Sequence, residues 1–207
     1  MIISTLYCVL FCIFALTFIY IILLKLEKAL EILKNGGVIL YPTDTIWGIG
    51  CDATNVEAIN KIFEIKKREK TKSMIILVEN ERRLQDLVDV PAMAWQIIDL
   101  SEKPVTIVYE NPKNLPKEIL AEDGSIGIRL VKDDFCKKLI SKLNKPLVST
   151  SANFSGDKSP LKFSDISQEL IDAVDYAVEE NRESVSKYSG SSVIKIWNDG
   201  RVKVLRE

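Results

Sequence analysis

Histidine is absent from all 207 residues of this chain. This absence excludes Ser-His-Asp and Cys-His catalytic mechanisms, together with every zinc site that needs an imidazole ligand. Cysteine is scarce as well: there are four, and no two of them form a Cys-x-x-Cys pair, which argues against a cysteine-only zinc site. We therefore expect free, buried thiols in a reducing compartment, including Cys51 and Cys136.

A strong excess of either charge is also missing. The 28 lysine and arginine residues nearly balance the 29 aspartate and glutamate residues, so the net charge is −1. A whole-surface nucleic-acid binder is usually strongly basic, and RNA binding by this chain would require a local patch. The length and the 47% hydrophobic content favour one globular domain with a substantial core.

The N-terminus carries a long uncharged segment, residues 5–24. About 20 apolar residues suffice to cross a bilayer, and no basic residue or Ala-x-Ala site marks a signal peptide. One interpretation is a membrane anchor with a cytoplasmic domain, because Lys25 and Lys28 follow directly. The other is a start-site artefact, with the domain beginning near Leu26. We therefore divide the chain into residues 1–25 and a domain over 26–207.

Apolar runs and turn residues predict an α/β fold with a mixed sheet. Thr54 and Glu57 have capping-box spacing, which predicts a helix from Thr54 to about Lys67. Gly48 and Gly50 are assigned to a loop. The other predicted helices lie near 26–33, 81–88, 92–100, 133–144 and 165–173. The predicted strands are 38–41, 74–78, 104–110, 125–131, a strand running into the 149–156 loop, 174–178, and a C-terminal hairpin around residues 198–200.

Three polar segments carry the chemistry. The loop "YPTDTIWGIGCDAT" (41–54) places hydroxyls, a carboxylate and glycines just past a strand, where ligands of α/β sheets tend to bind. The segment "KKREKTK" (66–72) has five basic residues, suited either to a phosphate clamp or to a solvated helix end. The third segment, "VSTSANFSGDKSP" (148–160), is dense in small hydrogen-bonding residues and is typical of a polar ligand pocket.

Five motifs, taken in order, resemble the YrdC-type threonylcarbamoyl-AMP synthase family over roughly residues 26–207. They are "YPTDTIWGIGCDA", Lys66-x-Arg68, "SIGIRL", "STSANFSG" and Ser191-Ser192-Val193. The resemblance implies a YrdC-like twisted mixed β-sheet flanked by helices with a deep concave cleft. It also implies an enzyme, an L-threonylcarbamoyladenylate synthase, which makes threonylcarbamoyl-AMP and pyrophosphate from L-threonine, bicarbonate and ATP for tRNA t6A37 modification. The alternative is a paralogue of the same fold that binds a nucleotide or RNA without this activity.

The family's site residues carry over by motif. Lys66 and Arg68 would be catalytic. The residues implied to contact L-threonine are Thr45, Arg129, Ser149 and Ser192. The residues implied to bind ATP are Arg68, Lys72, Ser125, Ser151, Asn153, Ser159 and Arg206. Five residues depart from the usual pattern: Trp47, which would still supply an aromatic wall, Glu69, Ser73, Met74, and Leu77, where many members have a histidine that contacts threonine.

The resemblance also implies partners and a location. Mg²⁺ would arrive with ATP, held largely by phosphates and water, and no protein ligand for it is identifiable. The product would pass to a threonylcarbamoyl transferase, and tRNA or double-stranded RNA would contact the basic cleft. The expected location is the cytoplasm, with membrane contact only if residues 1–25 are an anchor that tethers the domain through residues 5–24.

Overall fold

The computed structural model describes residues 24–69 and 74–207. Residues 24–34 are helical and are called α1. The helices that follow are α2 (Val56–Ile65), α3 (Glu81–Leu87), α4 (Ala92–Leu100), α5 (Asp134–Leu143) and α6 (Gln168–Ala173). The strands are β1 (Ile39–Tyr41), β2 (Gly48–Gly50), β3 (Ile75–Val78), β4 (Val105–Tyr109), β5 (Ile126–Leu130), β6 (Leu147–Ser151), β7 (Tyr176–Ala177), β8 (Ser192–Ile196) and β9 (Val202–Arg206). Short 3-10 turns cover Lys117–Ile119 and Phe163–Asp165.

These strands form one mixed sheet in the order β7-β1-β2-β6-β3-β5-β4-β8-β9. The pairs β1/β7, β3/β5 and β4/β8 are parallel, and the remaining neighbours are antiparallel. The predicted α/β class with a mixed sheet is therefore confirmed. The depth of the cleft implied by the resemblance stays a prediction.

Both faces of the central sheet are buried, which explains the continuous apolar runs in the sequence. Successive strand residues point to opposite faces. Leu40 accordingly packs in a core with α2, α3 and α4, whereas Ile39 and Tyr41 pack in a second core with α1 and α5. Leu77 belongs to this second core and is fully buried.

Two local predictions were wrong. Gly48–Gly50 is not a loop but strand β2, paired to Tyr41 and its neighbours on one side and to Ser151 and Thr150 on the other. Helix α2 does not begin at Thr54, because the side chain of Asn55 accepts the Ala58 N–H at 2.9 Å and makes Asn55 the N-cap. The Thr54 hydroxyl instead donates to Asp52.

The expectations about thiols and the N-terminal segment have different outcomes. Cys51 and Cys136 are buried free thiols, as predicted. Cys8, Cys12 and nearly all of the uncharged segment lie outside the described residues. Across residues 24–69 and 74–207, no helix combines the length and the apolarity needed to cross a membrane.

Candidate active site

A pocket of about 180 Å³ opens beside the first residue of β3 and the last residues of β6. Separate parts of the chain converge on it, including most of the segments singled out by sequence. The lining residues are 43 and 45–48, Arg68, Met74, Ile75, Arg129, 149–151, Ser159, 189–191 and Arg206. Of the predicted site residues, the structure thus brings together Thr45, Arg68, Arg129, Ser149, Ser151, Ser159 and Arg206.

The turn after β1 forms one wall through a chain of hydroxyl groups. The Thr43 hydroxyl donates to the Ile46 carbonyl at 2.7 Å and lies 3.0 Å from the Thr45 hydroxyl. Because a hydroxyl has one proton, Thr45 must be the donor in the Thr43–Thr45 pair. Thr45 Oγ1 in turn accepts a hydrogen bond from Arg129 Nη1 at 3.2 Å. The hydroxyls are therefore fixed before any ligand binds.

Arg129 on β5 is the buried charge of the pocket, with only 3% of its side chain exposed. Its Nη2 lies 3.2 Å from Asp44 Oδ1, and its Nε has no hydrogen-bond partner among the described residues. A buried guanidinium with an unused donor is costly unless an anion completes its contacts. Arg129 is therefore arranged to receive a carboxylate or phosphate.

The end of β6 supplies a second polar wall. Ser149 and Ser151 are two residues apart on the strand, so both side chains point to the pocket face. A Cβ on Gly48 would lie 3.2 Å from Ser149 Oγ. Glycine at this position lets β2 pack closely against the serine without displacing it.

Arg68 is held at the pocket by the way α2 ends. Lys67 has a left-handed backbone conformation with φ of 49°. The N–H groups of Lys67 and Arg68 donate to the carbonyls of Glu64 and Phe63, each at 3.0 Å. These two bonds are those of a Schellman motif, which turns the chain sharply after the helix. Burial lowers the pKa of the half-buried Arg68 guanidinium from its ordinary value.

The C-terminal hairpin completes the pocket opposite β6. Arg206 on β9 donates to the Ser191 carbonyl through Nε at 3.0 Å and Nη2 at 2.9 Å. The Ser191 hydroxyl pairs with Thr106 Oγ1 at 2.7 Å. Burial and the nearby Arg129 charge lower the pKa of Arg206. Arg68, Arg129 and Arg206 thus surround one small space, which favours an anionic ligand.

Lys66 and Asn153 lie behind the pocket rather than at its surface. Lys66 is 1% exposed, and its ammonium donates to the carbonyls of Ser151 and of Asn153, the latter at 2.6 Å. Burial and the neighbouring Arg68 lower the pKa of Lys66 to about 7, partly offset by Asp157. The Asn153 amide donates to the Asp157 carbonyl at 2.7 Å. Both residues therefore organise the loop that follows β6.

The remaining predicted residues are not among the described residues that line the pocket. Ser125 is buried at the start of β5 and donates to Asp123 at 2.6 Å. Asp123 also accepts from Lys195, and these bonds lower the pKa of the Asp123 carboxyl to about 2. Ser192 begins β8, directly after the lining residue Ser191. Lys72 lies outside the described residues, and the roles of all three stay predictions.

Sequence reasoning placed Thr43, Thr150 and Ser191 within its motifs but assigned none of them to a substrate, and all three line the pocket. Ser189 and Gly190 were not singled out, and their position directly before the Ser191-Ser192-Val193 motif was the signal that could have identified them. Trp47, expected as an aromatic wall, lines the pocket and packs edge-on against Phe163 with ring centroids 5.0 Å apart.

The pocket has few side chains that could act as ligands of a resident metal ion. Within residues 24–69 and 74–207, no group of three or more histidine, cysteine, aspartate or glutamate side chains could hold one. The carboxylate nearest to Arg129, Asp44, is already paired with that guanidinium. These donors fit a cation that enters with its own phosphate ligands better than one held by the protein.

Comparisons with known proteins show the family to which the chain belongs. The family model Sua5/YciO/YrdC, described as "Telomere recombination", matches residues 31–207. A protein of Methanocaldococcus jannaschii is 34% identical over 183 residues, which are 86% of this chain and 85% of that protein. Its name assigns threonylcarbamoyl-AMP synthase activity provisionally.

A threonylcarbamoyl-AMP synthase of Pseudoalteromonas translucida is 32% identical over 159 residues, covering 75% of this chain and 85% of the relative. Among solved structures, P. abyssi Sua5 complexed with L-threonine matches with a TM-score of 0.73 at 22% identity. That match covers 83% of this chain but only 50% of the Sua5 chain, and at this identity it supports the fold alone.

Proposed function

Because this chain belongs to the Sua5/YciO/YrdC family, we propose that it is a threonylcarbamoyl-AMP synthase. One observation carries the proposal: Thr45, Arg68, Arg129, Ser151 and Arg206, which come from distant parts of the sequence, line a single pocket. The substrates are L-threonine, bicarbonate and ATP, and the last arrives with Mg²⁺ on its phosphates. The protein is expected to work in the cytoplasm, where its tRNA pathway operates.

The proposed reaction needs positioning and charge neutralisation rather than a covalent nucleophile. The amine of L-threonine condenses with bicarbonate to give a carbamate and water. A carbamate oxygen then attacks the α-phosphorus of ATP, and the bond to pyrophosphate breaks. Because carbamate and triphosphate are both anions, cationic groups that hold them together account for most of the catalysis.

We assign the groups by their chemistry. Arg129 and Thr45 hold the threonine carboxylate and hydroxyl, since the buried Arg129 lines the pocket and its Nε has no partner within residues 24–69 and 74–207. Arg68 and Arg206 neutralise the triphosphate, with Lys72 assigned to the same role by motif alone. Ser149 and Ser151 lie where the two substrates meet. A histidine is not required at any step.

The product is a reactive mixed anhydride, and we infer that it is handed to a threonylcarbamoyl transferase. Direct tRNA contact through residues 66–72 finds limited support. Within the described part of that segment, Lys66 is buried and Lys67 Nζ donates to Glu169 at 2.9 Å. Membrane contact rests entirely on residues outside the described range.

The test measures pyrophosphate release by the full chain with MgATP and bicarbonate, with and without L-threonine. We expect release that requires L-threonine and fails with L-serine. Arg68→Ala should lower kcat/KM for ATP at least about 10-fold, because charge-assisted bonds to phosphate are strong. Arg82→Ala, a change of an exposed arginine on α3, is the control. A folded chain that binds ATP without threonine-dependent release would instead indicate the paralogue.

A further inference from the structure

Lys66 differs from Arg68, its partner in the Lys66-x-Arg68 motif, in where its side chain lies. It is the C-cap of α2, and its ammonium is buried, whereas Arg68 two residues later lines the pocket. The Schellman turn lies between them, and the Lys66 ammonium contacts carbonyls of the loop after β6. Lys66 therefore supports the pocket residue Ser151 from behind and does not itself line the pocket.

Backbone groups of the loop after β6 surround the Lys66 ammonium. It donates to the Ser151 and Asn153 carbonyls, and the Ser155 N–H donates back to the Lys66 carbonyl at 3.1 Å. The Asn153 N–H donates to the Ser151 carbonyl at 2.9 Å, which closes a tight turn. Lys66 thus holds both ends of a turn whose first residue, Ser151, lines the pocket.

We propose that Lys66 is a positioning residue, which fixes Ser151 and the 151–155 turn against the nucleotide and touches neither ATP nor L-threonine. The inference deepens the proposed function and rests on it for the identity of the ligand. The loop geometry itself is independent of that identity. Of the Lys66-x-Arg68 pair, the proposal assigns the contact with phosphate to Arg68 alone.

The charge of Lys66 should respond to binding at Arg68. Among the described residues, the charged groups that act on it are Arg68, which disfavours the ammonium, and Asp157, which favours it, while burial disfavours it most. A polyphosphate on Arg68 would cancel the repulsion between the two cations. Binding near pH 7.5 should therefore be accompanied by proton uptake at Lys66, which strengthens its bonds to the two carbonyls.

The experiment titrates inorganic pyrophosphate into the full chain by calorimetry at pH 7.5 in two buffers of different ionisation enthalpy. The wild type should take up more protons than Lys66→Met, by up to one proton per site, because any protons released by pyrophosphate itself are common to both proteins. Lys66→Met and Lys66→Arg should lose this uptake yet keep the affinity for pyrophosphate within about threefold, whereas Arg68→Ala should lose at least tenfold. Lys61→Met, on the exposed face of α2, is the matched control.

Hydrogen–deuterium exchange of residues 151–157 supplies a second readout that needs no ligand. Lys66→Met should exchange faster there than the wild type, and Lys66→Arg, which keeps a cation, should restore part of the protection. Loss of pyrophosphate affinity in Lys66→Met equal to that in Arg68→Ala, with unchanged exchange, would make Lys66 a direct phosphate ligand and overturn the proposal. A wild type that binds pyrophosphate but lacks threonine-dependent turnover would contradict the proposed function instead.

Discussion

At the scale of single residues, Arg129 is a buried cation whose Nε has no hydrogen-bond partner among the described residues, so a bound anion would complete its contacts. Arg129→Lys keeps the charge but removes the planar fork that reaches both Thr45 and a carboxylate. We expect the KM for L-threonine to rise about 10-fold or more, since a bidentate charge-assisted contact is lost. The KM for ATP should stay within about threefold. Steady-state pyrophosphate release with each substrate varied in turn measures both.

The opposite pattern would change which substrate is assigned to which pocket residue. An ATP-specific defect in Arg129→Lys would assign Arg129 to the nucleotide and leave the threonine carboxylate to other donors. Arg83→Lys provides a control, because Arg83 also bonds a carboxylate, that of Glu79, but lies on α3 away from the pocket.

The motifs predicted which residues gather at the pocket but not which way each one points. Lys66 and Arg68 were both expected to be catalytic, yet Arg68 lines the pocket, whereas Lys66, on the other side of the left-handed Lys67, contacts the loop after β6. A left-handed lysine has no sequence signal comparable to glycine. Leu77, suspected because many relatives carry histidine there, pairs with Arg129 in the sheet and packs into the second core.

At the scale of elements, the least predictable feature was β2. Two of its three residues are glycine, which usually weakens a strand and marks a turn. The structure shows the reason for Gly50: a Cβ there would lie 2.4 Å from the Val148 carbonyl and 2.8 Å from the Tyr41 ring. Longer apolar runs such as 38–41 and 74–78 were predictable, because burial on both faces makes them continuous.

Gly50→Ala should therefore destabilise the protein. The new methyl group meets a backbone carbonyl that cannot move without shifting β6, and overpacking of this kind costs about 1–3 kcal/mol. Gly48→Ala is the matched comparison, because its nearest neighbour at 3.2 Å is a side-chain hydroxyl that can rotate. Urea unfolding of both variants measures the difference. If both variants lost the same stability, contact with the Val148 carbonyl would not be the reason that β2 excludes a side chain.

At the scale of the whole molecule, strand order assembles the site. β2, β6, β3 and β5 are neighbours in the sheet, although Gly48 of β2 and its partner Ser151 of β6 are about 100 residues apart along the chain. Local patterns cannot specify such pairings, so the sequence predicted the elements and the motif residues but not their order. The family resemblance, which rests on motifs rather than on periodicity, predicted instead that residues from these distant segments share one site.

This assembly concentrates cations in a molecule of net charge −1. Arg68, Arg129 and Arg206 line one pocket, and Arg129 lowers the pKa of Arg206 as burial does. An anion that binds only the folded chain should relieve this repulsion. At 100 times its dissociation constant, pyrophosphate should stabilise the fold by about 2.7 kcal/mol. For a chain of this size that corresponds to a rise in Tm of about 5–10 °C.

Thermal unfolding over a pyrophosphate concentration series tests this expectation, with sodium chloride at matched ionic strength as the control. Arg206→Ala should reduce the pyrophosphate-induced rise in Tm, because it removes one of the three cations while sparing the buried Arg129. Arg201→Ala, which alters an exposed arginine at the start of the same hairpin arm, should leave the rise unchanged. If sodium chloride raised Tm as much as pyrophosphate did, screening rather than a specific anion site would explain the stabilisation, and the three arginines would not form a phosphate pocket.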